Sequence, residues 1–192
     1  RINSFDLSIA AVMVASASTV AVLTTSGFGI AVSVAAGIAL GMVVGFIQAY
    51  IVVKIGVDSF IVTLGMLTAL AGVTYAITSS RIVTGLPQPI IDFAREKVLG
   101  IPLATWYSWI AVGIAWFVFE RTPLGRHMLF IGGNINAARL AGIPVDRIRF
   151  GASVMSSTLA ALVGLVLVGQ LGAIDPSIGS QYVLPPFAAA FL

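Results

Sequence analysis

Seven carboxylates, one histidine and no cysteine are all that this sequence of 192 residues offers for metal binding or proton transfer. A zinc site draws His, Cys and carboxylate ligands into one close set. His127 has no second histidine to join, and the carboxylates do not cluster. Asp6, Asp58 and Asp175 stand as singletons, whereas an enzyme needs catalytic groups gathered at one place. Without thiols there is no disulfide and no thiolate site. Phosphate chemistry is missing too. A phosphate-binding loop reads G-x-x-x-x-G-K-[ST], and the only lysines, Lys54 and Lys97, follow Val53 and Glu96. No metal or cofactor is therefore expected on this chain, and any ATP-driven step belongs to another one.

What remains is a set of hydroxyls and amides set in long apolar runs. In lipid such hydroxyls usually bond back to carbonyls of their own helix. Some can instead line a polar path for a hydroxyl-rich solute, and Ser8, Ser16, Gln48, Thr63 and Ser156 are the candidates. No charged residue lies deep in any run. Ion-coupled transporters use such residues as relays, and channels need a filter motif. A secondary transporter or channel for a small polar solute is thus the alternative reading, and a membrane enzyme ranks behind it.

The elements that position these groups are membrane spans. Hydrophobic residues make up 59% of the chain and charged ones 9%, against roughly 25% charged in ordinary soluble domains. Mean hydropathy is +1.08. Lipid, not water or nucleic acid, is the partner of such a surface. Crossing the hydrocarbon takes about 20 apolar residues. The qualifying runs are 8–25, 28–53, 59–78, 103–119 and 152–171, with another starting near Val183. The chain opens on Arg1 and closes in an apolar run at Phe191-Leu192, as expected of a membrane domain over 1–192 truncated at both ends.

Basic residues set the orientation. Arg121, Arg126, Arg139, Arg147 and Arg149 crowd the segment 120–149, which marks it as cytoplasmic. Segment 79–102 then lies outside, and Trp106, Tyr107 and Trp109 form an interfacial belt where the fourth run enters. In the second run Gly37, Gly41 and Gly45 recur every four residues. That spacing puts them on one helix face, where a neighbouring backbone can come close.

Within the cytoplasmic segment, Asn134 suits a helix N-cap and the alanines and leucine after it favour helix. Gly142 offers the left-handed stop and Pro144 forbids continuation. Two capped turns are marginal in water and need a surface to pack on; Ile135, Ala138 and Leu140 are the expected contacts. From these residues alone, both a surface-lying connector and a docking element fit.

The segment resembles the cytoplasmic loop of ribose-, xylose- and arabinose-type permeases of ATP-binding-cassette (ABC) importers, in the branched-chain/sugar permease family. That family shows T-x-x-G-R-x-x-x-x-I-G-G-N-x-x-A-A-x-L-x-G-I-x-V. Here Thr122, Gly125, Arg126, Ile131, Gly132, Gly133, Asn134, Ala137, Ala138, Leu140, Gly142, Ile143 and Val145 fill it. Asp6-Leu7-Ser8, the stretch from Phe60, Thr84 to Pro87 and Gly100 to Leu103 agree as well, whereas Asn3, Ser4 and Phe5 depart from the family's glycines. The resemblance implies an all-α polytopic transmembrane helix bundle in the bacterial cell (inner) membrane, part of a longer permease that imports a monosaccharide. It implies a coupling helix that docks a cytoplasmic ATPase through Gly133, Asn134, Ala137, Ala138, Arg139, Leu140 and Gly142, with ATP and Mg held by that ATPase. It further implies a second permease subunit, as homo- or heterodimer, and a periplasmic or surface-anchored sugar-binding protein.

Overall fold

Lipid offers no partner for backbone N–H and C=O groups, so apolar runs of spanning length satisfy them within helices. The computed structural model describes residues 6–185 and Ala188, and it is an all-α bundle. The helices are α1 (Ile9–Thr25), α2 (Ile30–Ala49), α3 (Ser59–Ile77), α4 (Gln88–Arg95), α5 (Leu103–Arg121), α6 (Pro123–Gly133), α7 (Ile135–Leu140) and α8 (Val145–Leu171). A π-helical turn, Tyr50–Ile55, extends α2, and a 3-10 segment, Pro176–Tyr182, follows α8. Lys97–Val98 and Ile101–Pro102 pair as a minimal antiparallel hairpin.

Among the described residues, four helices are long and apolar enough to cross a membrane: Ile30–Ile55, α3, α5 and α8. The apolar α1 is shorter at 17 residues, and it occupies the centre. Every residue from Ala10 to Ala21 except Thr19 is buried, as expected of a helix that is hydrophobic all round. The helices α2, α3 and α8 and the 3-10 segment surround it. By contrast, α5 buries only Ala104 and turns Trp109, Val112 and Phe117 outward. The sixth run, starting near Val183, falls mostly outside the described residues.

Two segments differ from the sequence expectation. Residues 120–149 form helices through most of their length rather than a loop. The fifth run starts its helix at Val145, not residue 152, because Pro144 occupies the N-cap and Asp146 the first turn. Helix α4 is a short amphipathic helix not foreseen in the sequence. It lies on the end of α8, where a Cβ placed on Gly169 would sit 2.5 Å from the Ile90 carbonyl oxygen. Arg95 Nε donates to the Gln170 carbonyl at 2.7 Å, a cation on the last open turn of α8.

These contacts fix the ends of the molecule. Helix α8 has 27 residues, roughly 40 Å at about 1.5 Å each. It carries α7 at its start and α4 at its finish. Single cysteines at the exposed Asn136 and Gln88 are therefore expected to react with an impermeant maleimide from opposite sides. Asn136→Cys should label only from the cytoplasm and Gln88→Cys only from outside. The reverse pattern overturns the orientation, and labelling of both from one side overturns the fold.

Candidate functional site

The segment 120–149 is built by three turns in series. Thr122 ends α5 with its hydroxyl on the Val118 carbonyl at 2.6 Å, and Pro123 opens α6 at the position where a missing N–H is harmless. Gly125 is pressed against the Phe119 backbone, so no side chain fits there. At the next turn Asn134 Oδ1 accepts from the backbone N–H groups of Asn136 at 2.9 Å and Ala137 at 3.1 Å. Gly142 then takes a φ of 75°, the left-handed stop. Residues Ile131, Ala138 and Val145 make a small apolar core, with Ile135, Ile143 and Ile148 around it. The six-residue α7 is thereby seated on α6 and on the first turn of α8.

Of the three expected packing contacts, Ile135 and Ala138 do pack on the chain's own core, and Ala138, which the resemblance also placed in docking, is only 1% exposed. Leu140 departs from the expectation and is 90% exposed. Residues two positions apart on a helix are roughly 200° apart around its axis, so Ala138 and Leu140 cannot face one way. The outward face of α7 consists of Asn136, Ala137, Arg139 and Leu140. Gly133 and Gly142 flank it, and a Cβ on either would meet nothing within 4 Å. Arg139 pairs with Asp146 at 3.0 Å on the surface, a contact of at most about 1 kcal/mol.

The second feature lies where the start of α1, the end of α2 and the middle of α8 meet. Asp6 Oδ1 accepts from Ser8 N at 3.0 Å, Ser8 Oγ at 2.6 Å and Gln48 Nε2 at 3.2 Å. Its Oδ2 accepts from Ser156 Oγ at 3.5 Å. Gln48 Nε2 also donates to Ser8 Oγ at 2.9 Å, and its Oε1 accepts from Ser157 Oγ at 3.5 Å. Gln48 is 1% exposed, and Ser8 and Ser157 are fully buried. Three of the path candidates, Ser8, Gln48 and Ser156, thus converge on a carboxylate that looked isolated in the sequence. The other two lie elsewhere in the bundle. Ser16 donates across to the Ala161 carbonyl at 3.2 Å, and Thr63 to its own helix at Phe60, also 3.2 Å.

Glycines bring these helices together. A Cβ on Gly37 would lie 2.6 Å from Val20 Cγ2 of α1. On Gly41 it would lie 2.5 Å from Ala161 Cβ, and on Gly45 2.9 Å from Ser157 Cβ, both in α8. The stripe therefore faces two neighbours in turn. Gly164, which no spacing singled out, sits closer still against the Met13 carbonyl of α1.

Carboxylate and amide in this knot tie the start of α1 to α2 and α8, and among the described residues no three His, Cys, Asp or Glu gather into a metal site. Beyond the outer end of α8, Asp175 is held below the usual carboxylate range by the Ser177 hydroxyl and then by its backbone N–H.

An apolar multi-helix bundle with several helices of spanning length has the architecture of a polytopic membrane protein. The family model described as "Branched-chain amino acid transport system / permease component" matches residues 1–192, and the chain belongs to that family. The ribose import permease protein of Haemophilus influenzae is 33% identical over 98% of this chain and 59% of its own length. That of Bacillus subtilis is also 33% identical, over 99% and 60%. The L-arabinose transport system permease protein of Escherichia coli is 29% identical over 99% and 58%. The chain thus spans about 60% of the length of the relatives it matches. No solved structure matches it significantly.

Proposed function

We propose that this chain is the core of the transmembrane subunit of an ATP-driven importer for a monosaccharide such as ribose, xylose or arabinose. The observation that carries the reading is similarity to ribose import permeases along nearly the whole chain. The surface of α7 supports it. A short helix capped at both ends and seated on α8 transmits a push to the bundle as one body, because α8 is continuous from Val145 to Leu171. A cytoplasmic ATPase, which holds ATP and Mg, docks on Asn136, Arg139 and Leu140. A second permease subunit completes the path, and a binding protein outside delivers the sugar in the cell membrane of a bacterium.

Leu140→Glu in the full-length permease tests this. Its side chain is free of the chain's own core, so insertion should be unchanged. Co-purification of the ATPase and sugar uptake should fall together, by about ten-fold or more for a charge placed in an apolar contact. Permease alone should hydrolyse ATP only at background until its ATPase is added. Normal uptake by Leu140→Glu removes the docking role, and hydrolysis by the pure permease removes the division of labour. Ala138→Trp is the wrong probe for docking, since the ring would first unseat α7 from Ile131 and Val145.

A further inference from the structure

The 3-10 segment Pro176–Tyr182 departs from the helical rule of the bundle. Helix α8 stops at Leu171, yet the chain after it does not stay at that end, for it packs along α1 and α3. A Cβ on Gly179 would lie 3.6 Å from Val14 Cγ2, near the middle of α1. Tyr182 reaches a cavity shared with Ala10, Met13 and Ser156, further toward the cytoplasmic end. Non-helical backbone at membrane depth is tolerated where protein buries it or where it lines a water-filled cavity. In transporters, broken segments of this kind build the solute sites. Here the segment borders a cavity of about 330 Å³ against α1 and α3, a size within the range of ligand pockets.

The lining of that cavity is mostly apolar, from residues such as Ala11, Val14, Leu67, Ala71 and Val183, and its polar side chains are hydroxyls without charge. Thr68, Thr74 and Tyr75 come from α3, and Ser177 and Ser180 from the 3-10 segment. Among its described lining residues none is charged. One turn beyond Val14 on the same face of α1, the fully buried Ser18 has a hydroxyl with no hydrogen-bond partner. An amino acid carries an ammonium and a carboxylate, and burying them without countercharges is costly. A neutral polyol needs only neutral donors and acceptors, plus an aromatic face such as Tyr75 for its C–H groups.

We propose that this cavity is an intramembrane subsite for a neutral, hydroxyl-rich solute of monosaccharide size, with Thr68, Tyr75, Ser177 and Ser180 as its contacts. The proposal rests on the importer reading above and adds the place and the residues. The test uses the full-length permease, freed of any cysteine outside these residues and assembled with its ATPase and binding protein. Thr68→Cys should react with a small maleimide, and ribose at high millimolar concentration should slow that reaction, whereas leucine at the same concentration should not. Tyr75→Phe and Ser180→Ala, each losing one hydroxyl, should lower ribose uptake about two- to ten-fold while docking of the ATPase stays intact. If ribose gives no protection, or the cysteine is unreactive because protein or lipid fills the space, the subsite is wrong whatever the uptake. If the unaltered complex itself imports no sugar, the importer reading fails instead, and the two failures are distinguishable.

Discussion

Gly41→Leu is expected to prevent the bundle from assembling, and Gly164→Ala to do nearly as much with a single methyl. At Gly41 the new Cβ would lie 2.5 Å from Ala161 Cβ and 2.9 Å from the Ser157 carbonyl oxygen. Neither neighbour is a flexible side-chain end, so α2 and α8 must move apart. At Gly164 the obstacle is the Met13 carbonyl itself, on the central helix. Overpacking of this kind costs typically about 1–3 kcal/mol, and more where backbone has to shift. Gly72→Ala and Gly113→Ala are the controls, because a Cβ there would meet nothing within 4 Å, and alanine favours helix over glycine by about 1 kcal/mol. Thermal unfolding of the purified protein should rank Gly41→Leu and Gly164→Ala far below the parent and leave the controls at or above it. Equal melting of Gly164→Ala and Gly72→Ala would mean that α1 and α8 are not in contact.

The same comparison shows how far residue types reach. Span positions were legible because lipid forces any apolar run of sufficient length into a helix; α3 and α5 begin where their runs begin, at Ser59 and Leu103. The Asn134 cap and the Gly142 stop were legible because each is a local matter of one side chain or one φ. Helix α4 was hidden because eight residues with a proline and two charges carry no spanning signal, and its apolar side has meaning only against Gly169. Asp6 looked solitary because Gln48 and Ser156, its remote partners, are separated from it by 42 and 150 positions. Leu140 was placed on the packed side of α7 for a related reason. Six residues hold too few turns for periodicity to choose a side, and the side is chosen by Ile131 and Val145 on the flanking helices. Glycine spacing gave the close approach but not the partners, which are α1 at Gly37 and α8 at Gly41 and Gly45.

Asp6→Ala is expected to have the next largest effect, and its form distinguishes a latch from a bystander. The carboxylate accepts from Ser8 and Gln48 at distances of 2.6 to 3.2 Å and ties α1 to α2, with Ser156 of α8 at the margin. Removing it leaves buried donors short of an acceptor, at about 1.5–3 kcal/mol for hydrogen bonds to a charged group. Asp6→Asn keeps one oxygen but turns an NH2 toward groups that already donate, so it should recover only part of the loss. Gln48→Leu removes the middle of the network while keeping bulk. Combined with Asp6→Ala it should cost clearly less than the sum of the two, since the second change acts on bonds already broken. The readout is melting temperature, followed by uptake and ATP hydrolysis in the assembled complex. Helix α8 carries α7 at one end and Ser156 and Ser157 further along. A loosened knot lets α8 yield to a push on α7 without moving α1 and α2, so uptake should fall more than hydrolysis does. Strictly additive losses, or a melting temperature for Asp6→Ala equal to the parent's, would leave Asp6 as a surface carboxylate and the helices held by glycine packing alone.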